Sequence, residues 1–133
     1  MRRREDGTIT VMTFGFLLFI GFLAVVVVNS SAAFLQRQEL DNVADGAALA
    51  AADGLSRDTF YRKGDVTLDD GQARELVADY VNQPGTRVVE VRTDDDQVHV
   101  RLERTIGLAL KPPGWSSRTT IVSEATAQLR TSP

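Results

Sequence analysis

Residues 9–28 read ITVMTFGFLLFIGFLAVVVV, twenty positions without a charged side chain. At about 1.5 Å of helical rise per residue the run is about 30 Å long, the thickness of a bilayer's hydrocarbon core. Valines 25–28 are weak helix formers in water, but in lipid every unpaired backbone N–H or C=O is costly enough to enforce the helix. A buried helix of a soluble protein would carry a polar stripe, and here only Thr10, Thr13, Gly15 and Gly21 interrupt the apolar surface. A cleaved secretory signal has a shorter apolar region, of about 7–15 residues. Ser30, Ser31, Ala32 and Ala33 are nevertheless of the small type a signal peptidase accepts. The run is read as a single membrane span.

The flanks give the expected orientation. Arg2, Arg3 and Arg4 precede the span closely, and the first basic residue after it is Arg37. Basic residues remain on the cytoplasmic side, while Glu5 and Asp6 contribute little to this rule. The reading is a single-pass protein of the cytoplasmic membrane, N-terminus inside and the remainder extracytoplasmic.

Outward from the span, the stretch FLQRQELDNVADGAALAAAD (34–53) is rich in helix formers and contains no proline. Leu40, Val43, Ala44, Ala47, Ala48 and Ala51 recur at three- and four-residue steps and form one apolar stripe. Arg37, Glu39, Asn42 and Asp45 fall largely off it. One helix is therefore expected from about Thr8 to Ala52, with Gly54 as its stop. Alanine is the best helix former, and its small side chain also admits close approach by a sheet or a second helix. The expected organisation is a basic leader (1–8), the span (9–28), an amphipathic extension of the same helix (29–53) and an extracytoplasmic domain (54–133).

That domain begins with a mixed, charged stretch from Ser56 to Asp70, read as a loop. A short helix follows, capped by Asp69 or Asp70, with Ala73, Leu76, Val77, Tyr80 and Val81 as its apolar face. Pro84 and Gly85 end it. The period then changes from 3.6 to 2. Val89 and Val91 alternate with polar residues, Asp94-Asp95-Asp96 makes a turn, and Val98, Val100 and Leu102 alternate again. This second strand is expected to continue through Ile106, Leu108 and Leu110 until Lys111-Pro112-Pro113-Gly114 breaks it. A last strand places Ile121, Ser123, Ala125, Ala127 and Leu129 on one face. The fold class is α+β: a long N-terminal helix covering one face of a three-stranded antiparallel meander, with a second short helix, a pilin-like lollipop.

The chain has 15 Lys+Arg against 18 Asp+Glu. Without the leader's three arginines and two acids, 12 basic and 16 acidic side chains remain, a net of −4. A weakly acidic domain is a poor nucleic-acid binder, and it lacks the polybasic run of a domain that hugs anionic lipid. There is no cysteine, so neither a disulfide nor a thiolate metal site is open to it.

At this point the N-terminal region resembles the Flp pilus-assembly TadE/TadG-like family. The family pattern is a basic leader, a Gly, an apolar span and a helix of the type L-Q-N-A-A-D-A-A-A-L-A-A-A. The counterpart here is Leu40-Asp-Asn-Val-Ala-Asp45-Gly-Ala-Ala-Leu49-Ala-Ala-Ala52, and the resemblance covers about residues 3–53. It makes Gly7–Thr8 the candidate processing site. Family members cut by prepilin peptidase carry a Glu five residues after the cut Gly, and Met12 stands there, which favours the uncut TadG-like side. The acid often found near the outer end of the span is replaced by Asn29. The resemblance implies a minor pilin-like (pseudopilin) or assembly subunit of a tight-adherence pilus or related secretion system. Its partners would be other subunits, met through the long helix and the sheet edge.

Few constellations suggest chemistry. His99, the single histidine, lies on the polar face of a strand without a nucleophile pattern around it. Asp94-Asp95-Asp96 reads as a solvated turn rather than a Ca²⁺ loop. No enzyme activity, cofactor, metal or small-molecule substrate is expected. The expected assembly face is Leu40, Val43, Ala44, Asp45, Ala47, Ala48, Leu49 and Ala51. Trp115, the only tryptophan, either plugs the sheet end, contacts a partner or touches the bilayer. The alternative function is a single-pass envelope protein that binds a soluble ligand or cell-wall polymer.

Overall fold

The computed structural model describes residues 3–61, 69–94 and 96–129. Five elements follow in order: α1 (Arg3–Tyr61), α2 (Asp70–Tyr80), β1 (Thr86–Asp94), β2 (Gln97–Gly107) and β3 (Arg118–Gln128). The strands form one antiparallel sheet in the order β1-β2-β3. The upper part of α1 lies across β2 and β3, and α2 packs against α1 and β1. This is the α+β architecture expected from the change of period after Gly85.

The core forms where the stripe of α1 meets the sheet. Leu40, Ala44, Ala47, Ala48, Ala51 and Ala52 are buried on the helix side, facing Val91, Val98, Val100, Leu102 and Ala125. Burying a side chain the size of Leu40 or Leu102 stabilises the fold by about 1.5–3 kcal/mol. Alanine on the facing positions lets the helix backbone approach the sheet closely. From α2, Ala73 and Val77 complete the cluster.

Four expectations need correction. First, α1 does not stop at Gly54. It continues helically through Ser56 to Tyr61, because Leu55 extends the buried stripe by one more turn. A glycine in mid-helix costs about 1 kcal/mol, which this packing outweighs. A Cβ at Gly54 would lie 2.7 Å from Leu76 Cδ1, so the leucine side chain of α2 occupies the space that a side chain at position 54 would take. The loop expected at Ser56–Asp70 is thus helical at both ends, and its centre, 62–68, lies outside the described residues.

Second, Val89 is not in the core. A β-bulge separates Val88, paired with Leu102, from Glu90, paired with Arg101. The extra residue breaks the alternation. Val88 and Val91 face inward, and Val89 is half-exposed. Third, β2 ends at Gly107, so Leu108 and Leu110 belong to the β2–β3 loop. Fourth, α1 starts within the leader, at Arg3.

Candidate functional site

The packed stripe and the outward surface of α1 divide the expected assembly face in two. Leu40, Val43, Ala44, Ala47, Ala48 and Ala51 are buried against the sheet and α2. Asp45 and Leu49 are exposed and lie on the opposite side of the helix. The helical period turns Asp45 and Leu49 away from the head, so the expected face is not one continuous surface. Gly46 sits between the two halves. A Cβ there would meet Cζ of Tyr80 at 2.8 Å, so this glycine seats the tyrosine ring.

Two polar clasps tie the head to the stem, and neither was expected. Arg104 has the same strand parity as Leu102 and Ile106, so alternation carries it to the core side of β2, where it is 6% exposed. A buried guanidinium must be satisfied. Its Nε donates to Thr86 Oγ1 (2.8 Å), Nη1 donates to Gln36 Oε1 (3.5 Å), and Nη2 donates to Gln83 Oε1. Its charge is met by Glu39, with Nη1 3.3 Å from Oε1. One side chain thereby joins α1, the α2–β1 turn and the start of β1. The parity of Arg104 with Leu102 was the sequence signal for it.

The second clasp is Asn29, the residue that follows the apolar run. Its Nδ2 donates to the Leu110 carbonyl (2.7 Å), and its Oδ1 accepts from the Leu110 N–H (2.8 Å). The side-chain amide acts here as a strand edge would, holding the β2–β3 loop against the stem. Higher on the same seam, buried Ser123 of β3 donates its hydroxyl to Asp41 of α1.

Trp115 is 53% exposed in that loop, so it does not plug the sheet end. Its N–H donates to the Pro112 carbonyl (3.2 Å), and Gly114 has φ 85°, the left-handed conformation required at the third position of a type II turn with proline at the second. Gly7 and Thr8 lie inside α1, and the space around Gly7 is open.

The uncovered face of the sheet forms a shallow groove of about 590 Å³ near Arg92, His99, Arg101 and Glu124. Its groups pair with one another. Arg92 meets Glu90, Arg101 Nη1 is 3.4 Å from Glu124 Oε1, and Thr126 Oγ1 is 2.8 Å from His99 Nδ1. At its rim Asp70 accepts from the Thr93 hydroxyl and from the Thr93 N–H (2.9 Å), which together hold its carboxyl below the usual range. Among the described residues, no group of three or more His, Asp or Glu side chains comes together as a metal site would need.

The geometry defines a class: a protein with one long apolar stem, extended without a break into a rod, and a small α+β head clasped to that rod. The stem is long and apolar enough to cross a membrane. Residues 7–54, covering the stem and its alanine-rich continuation, match the Flp pilus-assembly TadE/G-like family. The similarity covers this segment alone, and the head beyond residue 54 lies outside the match. No curated protein and no solved structure matches the chain.

Proposed function

We propose that this protein is a non-enzymatic, membrane-anchored minor pilin-like or assembly subunit of a tight-adherence pilus or a related secretion system. The span holds it in the cytoplasmic membrane with the leader inside, and the rod carries the head outward. The observation that supports this reading best is the continuity of α1. The TadE/G-like match runs along one helix from the apolar stem through the buried alanine stripe, so the same helix that forms the stem also forms one wall of the head's core. A rigid rod of this kind suits lateral assembly. The outward side of the rod, with Asp45 and Leu49, and the edge of β3 that pairs with no strand are surfaces left for neighbouring subunits.

A photo-crosslinking residue at position 49 tests this in native membranes. Adducts to other pilus or secretion subunits, together with co-sedimentation in sheared filaments or the secretion complex, are the expected result. A chain that yields neither sinks the proposal. The groove on the open face of the sheet favours a second reading, an envelope protein that binds a soluble ligand or cell-wall polymer. Retention on a cell-wall polymer column, lost in His99→Ala and Arg101→Ala, would select it.

A further inference from the structure

We infer that the β2–β3 loop is a foot that rests in the lipid headgroup layer beside the stem, with Trp115 and Leu110 inserted and Lys111 and Arg118 facing phosphate. This builds on the proposed membrane-spanning stem and adds a contact that the stem alone does not require.

Depth is the first argument. The two hydrogen bonds between Asn29 and the Leu110 backbone fix the loop to a known height on α1. The uncharged part of the chain is longer than its apolar run: it extends from Gly7 to Gln36, 30 residues without an acid or base. As helix this is about 45 Å, the thickness of a bilayer with its headgroups. Asn29 lies seven residues inside the outer end of that segment, about 10 Å below Gln36. Phe34 and Leu35, above Asn29, are 66% and 64% exposed, so the apolar surface of the stem continues past the height of the loop. A loop pinned at Asn29 cannot stand clear of a membrane that reaches Leu35.

The chemistry of the loop fits that depth. Leu110 and Trp115 are exposed, and tryptophan favours the boundary between acyl chains and headgroups. Between Glu103 and Glu124 the chain has no acid, while it has Arg104, Lys111 and Arg118. Arg104 is consumed by its clasp, leaving Lys111 and Arg118 exposed on the loop side. The rest of the head is acidic in composition, and Asp94 and Asp96 lie at the opposite end of β2. The two free cations of this acid-free stretch therefore lie at the end of β2 that meets the stem, where lipid phosphate would face them. The Pro112–Trp115 turn is stiff, so presenting the indole costs little ordering entropy.

Trp115 is the only tryptophan, so its fluorescence reports on this loop alone. The full-length chain is reconstituted, at high lipid excess, in vesicles of phosphatidylcholine and phosphatidylglycerol. A matched set of vesicles carries lipids brominated at shallow acyl positions. The expected result is blue-shifted emission that falls roughly two-fold or more in the brominated vesicles, as for an interfacial indole. Asn29→Ala should weaken that quenching and open Trp115 to acrylamide. Lys111→Glu with Arg118→Glu should weaken it in anionic but not in purely zwitterionic vesicles. Emission that ignores bromine overturns the inference: red-shifted and acrylamide-sensitive emission means a solvated loop, and blue-shifted emission means burial against protein. Unchanged quenching in Asn29→Ala likewise overturns the pinning. Carbonate extraction of the same vesicles separates the two readings. Release of the chain defeats the stem and the foot together, whereas retention with bromine-insensitive emission defeats the foot alone.

Discussion

Arg104 Nη1 stands 3.3 Å from Glu39 Oε1, joining a buried position of β2 to the flank of α1. The two ends of this pair differ sharply. The arginine side chain is 7% exposed and the glutamate side chain 55%. The guanidinium also donates to Thr86, Gln36 and Gln83, so most of its interactions are with neutral oxygens rather than with the carboxylate.

Arg104→Ala is therefore expected to cost about 2–3 kcal/mol, because it empties a buried site and removes the hydrogen bonds that join Gln36, Gln83 and Thr86 through one side chain. Glu39→Ala should cost less than about 1 kcal/mol, as for a solvent-screened ion pair. Denaturant unfolding of the full chain in detergent, followed through the sheet's circular dichroism, gives both values. Equal losses would show that the carboxylate dominates the clasp.

Ala47 and Ala48 are 0% and 1% exposed where α1 meets its neighbours. Ala47→Leu and Ala48→Leu should each destabilise the head by about 1–3 kcal/mol through overpacking. Asp45→Ala and Leu49→Ala, on the outward side, should change stability by less than about 0.5 kcal/mol. If these outward variants nevertheless abolish co-sedimentation with filaments, the rod's free side is an assembly surface. If Ala47→Leu and Ala48→Leu leave both stability and assembly unchanged, the stripe is not closely packed.

The bulge in β1 gives a third contrast. Val91 is 2% exposed and Val89 is 50% exposed, although both have odd numbers in one strand. Val91→Ala should cost about 2 kcal/mol, and Val89→Ala should be close to neutral. The same unfolding measurement decides it. Comparable losses at the two sites would mean that the strand pairs without the extra residue.

Asp70 links α2 to β1 through Thr93 and carries a depressed pKa, caused first by the Thr93 hydroxyl and next by the Thr93 N–H. A carboxyl lowered on folding stabilises the fold above its unfolded value, 3.8 for a free aspartate. That contribution disappears as pH falls through the lower folded value. Asp70→Asn should accordingly be less stable than the native chain at neutral pH, with the gap closing under strongly acidic conditions. A pH-independent gap would assign the effect to packing rather than to the carboxylate.

The broad plan was legible in the sequence because it rests on local patterns. Twenty uncharged residues specify a membrane-length stem, the three- and four-residue spacing from Leu40 to Ala51 specifies a packed stripe, and the change of period after Gly85 specifies strands. The buried set bears this out for Leu40, Ala44, Ala47, Ala48, Ala51, Val98, Val100 and Leu102. The misreadings share one cause. Val89, the helix end at Gly54 and the reach of β2 were judged from local periodicity or propensity, which a bulge or a tertiary contact overrides. Leu49 and Asp45 belong to the expected assembly face but not to the stripe, and the 100° step of the helix carries them to the side away from the head.

What the sequence by itself determined is the stem, the α+β class and the hydrophobic stripe, since each follows from spacings within a few residues. Only the tertiary structure decided how stem and head are joined. Asn29 and Leu110 are 81 residues apart in the chain, and Gln36 and Arg104 are 68 apart. An asparagine after a span and an arginine within a strand have no local signature as partners. They become clasps because folding the sheet onto α1 buries the Arg104 guanidinium, which must then be satisfied, and brings Asn29 beside the Leu110 backbone at an exposed point of the stem.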